Sequence, residues 1–251
     1  MNTSVIQLPF ELSYKNIPIH TKENYCCSVS FPNKESKNHY HMGITYLEIQ
    51  EEYKIIQFDL EKTDTSTLLD TKKWHDWFLE TLYPIVVMVN TDGGIIEVCN
   101  RVEILQRIES LYKKLNSPYI SQELQLELLK HYKNFGHSDA ILKETNKLFF
   151  QLILFPLYVV FNKPVRYFAN EITDGDELHK FSFSAKLFED LDSLGHIKVE
   201  IIGLYNQDSN FHHDAKYSLD PITHVLQTLE GEIMQQNGEL VTFYFTRLIA
   251  D

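Results

Sequence analysis

Cysteine is scarce in this chain of 251 residues: Cys26, Cys27 and Cys99 are the full complement. An odd count with two adjacent members is a poor disulfide framework. Free thiols suit a reducing compartment, so the chain reads as cytoplasmic. Glycine (9) and proline (8) are too few for a collagenous or linker-dominated protein. Basic residues are the minority, 23 Lys and Arg against 35 Asp and Glu, a formal net charge of −12. A general nucleic-acid or anionic-membrane surface is excluded on that ground.

Long apolar runs are also missing. The most apolar segment, Leu148 to Phe161, is shorter than the roughly 20 residues a membrane-spanning helix needs, and Pro156 interrupts it. It reads as the buried end of a helix running into a buried strand. The stretch Met1 to Asn16 has no basic n-region, no apolar core of leader length and no small-residue cleavage site, so no secretory leader is expected. The catalytic templates are absent too: no GxxxxGK[ST] loop, no GxGxxG, no GxSxG, no HExxH, no CxxC and no EF-hand loop. The chain therefore leans away from enzymes, and its motifs assign no function.

Aromatics are plentiful, with 16 Phe and 14 Tyr, which excludes disorder. Period-two alternation runs through Val5–Leu12, Tyr25–Phe31, Ile44–Glu48 and Tyr53–Leu60, with no intervening helix, which implies an antiparallel meander. In a strand, Cys26 and Cys27 face opposite sides. Between Thr65 and Leu82 the apolar residues, Trp74 and Trp77 among them, fall on a helical stripe. Ile85–Asn90 and Ile95–Cys99 then flank Thr91-Asp92-Gly93-Gly94, a strong hairpin signal. Asn100 and Glu103 form an N-terminal capping pattern for a helix kept in register by Ile104, Ile108, Leu111 and Leu115. Further helices are expected over Ser121–Tyr132 and from Ser138 toward Pro156. Strands return at Val165–Asn170, Lys180–Phe188 and His196–Tyr205, and a final hairpin turns at Asn237-Gly238.

The expected architecture is one α+β domain over residues 1–251, mainly antiparallel. Strands, one helix and a hairpin occupy 1–99, a central three-helix segment 100–156, and acidic antiparallel strands 157–251.

Residues 171–251 carry 15 acidic and 5 basic residues, nearly all of the net negative charge. A solubilising face accounts for this; so does a surface that steers and holds a basic protein partner. On the second reading the protein is a non-enzymatic adaptor, chaperone-like or toxin-neutralising, with Glu230, Glu232 and Glu239 as contact residues. The alternative is a carrier or sensor of a hydrophobic small molecule, held in a cavity between sheet and helices and lined by Phe149, Phe150, Phe155 and Tyr158.

Metal chemistry is the weaker alternative. His39 and His41 share one face of a strand, and His212 and His213 sit beside Asp214 in a loop that precedes another strand. Brought together, they would hold zinc with an open position for hydrolysis. Exposed histidines in polar segments explain them with less, so no cofactor is expected. Cys99 precedes a helix N-terminus that favours thiolate, yet no histidine lies near it in sequence, and half-buried packing is the simpler reading. Asp174, Asp176 and Glu177 around Gly175 lack the remaining ligands of a calcium loop and read as a polar turn.

Overall fold

The structure, a computed structural model, describes residues 6–30, 37–62, 81–115, 126, 153–154, 157–174, 177–205, 212–234 and 240–248. Among these, the chain forms β1 (Phe10–Glu11), a one-turn 3-10 helix (Tyr14–Asn16), β2 (Lys22–Ser30), β3 (Lys37–Ile49), β4 (Tyr53–Lys62), β5 (Ile85–Asn90) and β6 (Ile95–Val98). Helix α1 (Arg101–Leu115) follows, then β7 (Val160–Phe161), β8 (Val165–Asp174), β9 (Glu177–Leu187), β10 (Ile197–Tyr205), β11 (His212–Leu219), β12 (Leu226–Met234) and β13 (Leu240–Leu248).

Eleven strands make a single antiparallel sheet in the order β6-β5-β4-β3-β2-β13-β12-β11-β10-β9-β8. Every neighbour is the next strand in the chain except one. β2 pairs with β13, with Cys27 opposite Phe245 and Val29 opposite Phe243, and this joins the two meanders. The edge strands β6 and β8 are not paired with each other, so the sheet is open.

Alternation decides the faces. Tyr25 and Cys27, Ile56 and Phe58, Val199 and Ile201, and Phe243 and Phe245 all point inward into one contiguous core. A sheet this wide buries one face only by curling around that core. Ile104 and Ile108 of α1, with Leu154 and Leu157, fill the concave side. No described helix is long and apolar enough to cross a membrane.

The expected α+β architecture is corrected by this topology. The described residues are mostly antiparallel strand in one sheet, with a single helix rather than a three-helix segment packed on sheets. Extended, alternating segments dominate because each strand has a sequence neighbour to pair with. The stripe over Thr65–Leu82 lies outside the described residues apart from Thr81 and Leu82. The helices expected over Ser121–Tyr132 and from Ser138 to Pro156 lie almost wholly outside them.

Asn100 also behaves differently from its expected capping role. Its Oδ1 accepts from the Val86 amide at 2.9 Å and its Nδ2 donates to the Pro84 carbonyl at 2.8 Å. The side chain thus ties the helix start to the entry of β5. Arg107, further along α1, donates to the carbonyls of Thr81, Leu82 and Pro84 and fastens the same segment.

The β5–β6 hairpin forms as expected. Gly93 adopts φ 83°, and Asn90 Oδ1 accepts from the amides of Asp92 and Gly94. The final hairpin forms as well, with its turn, 235–239, outside the described residues. Cys27 is fully buried and Cys26 partly exposed, on opposite faces. Cys99, expected to be half-buried, is exposed at the end of β6.

Candidate functional site

The first described segment, residues 6–20, is a strap laid across one end of the curved sheet. Its alternation predicted a strand over Val5–Leu12, but only Phe10 and Glu11 pair, with Phe161 and Val160 of β7. Separate bonds fasten the strap along its length. The Ile6 amide donates to the Glu189 carbonyl, Leu12 to Val159, and His20 to Tyr46. At its centre the Ser13 amide donates to Nδ1 of His224 at 2.9 Å, and the Asn16 carboxamide lies 3.3 Å from the same nitrogen.

Beneath the strap is a column of three side chains. Tyr14 stacks on Tyr158 with ring centroids 3.7 Å apart and planes 28° from parallel. Nζ of Lys54 stands over the Tyr14 ring, 3.3 Å from its centroid. Both distances are too short for the two partners to share a face, so Tyr14 is held between the ammonium and the second phenol.

Tyr158 continues into a narrow enclosed gap, lined by Ile17, Tyr25, Ile44, Tyr46 and Leu157 among others, with room for about one water. The Tyr158 hydroxyl donates to the His224 carbonyl and the Tyr25 hydroxyl to the Leu226 carbonyl. Tyr46 and Tyr158 are neighbouring walls of the same gap. Burial pushes the phenols of Tyr14, Tyr46 and Tyr158 above their usual range, so all three are neutral.

Lys54 is the outlier of this region. It is 2% exposed, and Nζ has no hydrogen-bond partner among the described residues. Burial lowers its pKa from the ordinary lysine value to about 7, opposed by the charge of Asp92 in the β5–β6 turn. Its position was readable: Tyr53–Leu60 alternates, and Lys54 shares the phase of Ile56 and Phe58. A lysine on the apolar phase of a strand signals a buried cation. Tyr14 and His224 gave no such signal, because both are placed by long-range contacts.

Two of the three acidic residues singled out from the sequence, Glu230 and Glu232, lie on the opposite, outer face. Glu230 and Glu232 of β12, with Glu200, Lys216 and Tyr244, line a shallow open groove across β10 to β13. In register, Glu230 stands between Lys216 and Tyr244. Glu239 lies outside the described residues.

The histidines are not brought together. His39 and His41 share the outer face of β3, opposite Ser28 and Cys26 of β2. His212 and His213 are in β11, not in a loop. His213 is 1% exposed on the inner face, edge-on to Phe183 and Phe243. β3 and β11 are four strands apart, about 19 Å at ordinary strand spacing. No group of three or more His, Cys, Asp or Glu able to hold a metal occurs among the described residues.

Of the thiols, Cys99 has its pKa raised by burial of the sulfur and by Glu97, the opposite of what a thiolate nucleophile needs. Asp174 and Glu177 pair across the tip of the β8–β9 hairpin, as a polar turn requires. The cavity-lining residues expected at Phe149, Phe150 and Phe155 lie outside the described residues, while Tyr158 does line the inner gap.

No protein-family model matches the chain, and no curated protein is similar to it in sequence. Among solved structures, a LolA superfamily protein from Nitrosomonas europaea is similar over 100% of this chain and 95% of its own, at 11% identity and a TM-score of 0.35. A hypothetical protein from Chlamydia trachomatis is similar over 98% of this chain and 96% of its own, at 10% identity and a TM-score of 0.30. These likenesses are too distant to establish a family or to carry an argument about function.

Proposed function

We propose that this protein is a carrier or sensor of a hydrophobic small molecule, bound on the concave face of the sheet. The observation that supports the reading is the tyrosine-lined gap under the strap. Apolar side chains and neutral phenols meet there inside an open, curled sheet. In this closed state the gap holds about one water, so a ligand enters only when the strap gives way. The strap is suited to that, being fastened by a few separate bonds rather than a continuous ladder.

Titration with a fluorescent long-alkyl probe tests the reading. Saturable one-to-one binding with blue-shifted emission is the expected result. A signal that never saturates would show that the inner face is packing and nothing more.

The outer groove supports a second reading, in which Glu230 and Glu232 meet a basic protein. Reversing Glu230, Glu232 and Glu239 to Lys should then abolish binding to that partner. Unchanged binding would remove the groove from consideration.

A further inference from the structure

We infer that Lys54 is the headgroup site of this carrier, its ammonium receiving the carboxylate of a long-chain acid whose tail lies along the tyrosine-lined gap. The inference rests on the carrier reading and specifies the class of ligand.

The first ground is that Lys54 does nothing for the fold that an apolar residue would not do better. Its side chain is on the inner face of β4, in phase with Ile56 and Phe58, where methionine or leucine would pack without losing hydration. Its Nζ has no hydrogen-bond partner among the described residues, and no salt bridge to it is found there. The face of Tyr14 replaces only part of the water that a buried ammonium gives up. Among the described residues no carboxylate is bonded to this ammonium, and Asp92 of the β5–β6 turn acts on it only through its charge, so the place of a directly paired anion is open to a ligand.

The second ground is position. Lys54, Tyr14 and Tyr158 form one column, and Tyr158 is a wall of the gap. The ring that covers the ammonium belongs to the strap that must move for a tail to enter. The strap also carries Ile17, a wall of the gap, so lifting it draws Ile17 from the gap and Tyr14 from Nζ in one motion. A headgroup taking the place of the ring would exchange a cation–π contact for a charge-assisted hydrogen bond, the stronger of the two in a desolvated site.

The third ground is charge. The column offers one cation, and the nearby phenols are neutral, with the Tyr158 and Tyr25 hydroxyls already donating to backbone carbonyls. A single negative charge is matched by this site. The dianion of a phosphate monoester would leave one charge buried and unpaired.

The test compares palmitate, its methyl ester and hexadecyl phosphate on the full chain, by displacement of the alkyl probe at constant pH. Palmitate is expected to bind at least about tenfold tighter than the ester, the effect of one charge-assisted hydrogen bond in a desolvated site. Lys54→Met, with its folding checked by thermal melting, should bind acid and ester alike. Equal binding of acid and ester to the wild-type chain overturns the headgroup assignment and leaves the carrier reading intact. Tighter binding of hexadecyl phosphate than of palmitate overturns the carboxylate assignment. Failure of all three ligands and of the probe to bind overturns the carrier reading, and this inference with it. The wild-type comparison alone decides the matter if the variant does not fold.

Discussion

The backbone amide of Ser13 donates to Nδ1 of His224 at 2.9 Å, across 211 positions of sequence. This bond ties the strap to the turn that precedes β12. It exists only while Nδ1 is unprotonated, because a protonated ring nitrogen has no lone pair to accept with. His224 also holds φ 56°, a backbone region costly to most residues, so the turn presents the ring at this spot.

That relationship makes the strap sensitive to acid. Burial lowers the pKa of His224 below the ordinary histidine value, opposed by the carboxylates of Asp220 and Glu11, and the Ser13 hydrogen bond, accepted only by the neutral ring, works in the same direction as burial. The unfolded chain, with an ordinary histidine near 6.5, then binds the proton first as pH falls. The stabilisation is complete above about pH 6.5 and declines as pH drops toward the lowered value. Thermal midpoints measured down that range should fall for the wild type. His224→Asn should flatten that segment, since Asn keeps an acceptor oxygen and tolerates positive φ. An identical decline in the variant would place the acid sensitivity elsewhere.

Lys54→Met should stabilise the ligand-free protein, the reverse of the usual effect of a buried substitution. With its pKa lowered to about 7, the native lysine is charged and buried below that pH. The expected gain is on the order of 3 kcal/mol near pH 6 and shrinks as pH rises, because the wild-type amine then sheds its proton on folding. Urea denaturation at two pH values measures both the sign and the trend. A destabilised variant would mean that Lys54 has a structural partner.

Gly231 is required by close backbone approach. A Cβ there would run into the Asp214 carbonyl oxygen and stand 2.8 Å from the Ala215 Cα, both backbone atoms of the neighbouring β11. Gly231→Ala should lower stability by about 2–4 kcal/mol in chemical denaturation, because a paired strand cannot step aside. A cost near zero would show that β11 and β12 can separate locally.

Glu23 and Arg247 form an ion pair between β2 and β13, with the Arg247 Nε donating to Glu23 Oε2 at 2.6 Å. Glu23 is buried, so Arg247→Met alone leaves an uncompensated charge and should cost about 3 kcal/mol. The double variant Glu23→Gln with Arg247→Met should cost less than the two single changes added together. A double-mutant cycle reads this coupling directly; additive losses would mean the pair contributes nothing specific.

The faces of β2 and β6 can be checked by thiol labelling. Cys99 should react with maleimide in the native state, while Cys27, fully buried and with its thiol pKa pushed up by burial, should react only on unfolding.

Strands and their faces were legible before any contact was known. Period-two alternation is a local property of the pleat, and it placed β4, β5, β10, β12 and β13, with Cys26 and Cys27 on opposite sides. The same alternation held Lys54 in the apolar phase, so half of the candidate site was written there. Long-range packing supplied the rest. Alternation says which way a side chain points, not which strand lies beside it, so the pairing of β2 with β13 that unites the two meanders could not be read. For the same reason the histidines of β3 and β11 were free to be imagined together until register and face separated them. The strap misled because Val5–Leu12 alternates like a strand yet finds almost no edge to pair with. It lies instead on Tyr158, His224 and Lys54, and only contacts from distant parts of the chain bring those three residues under it.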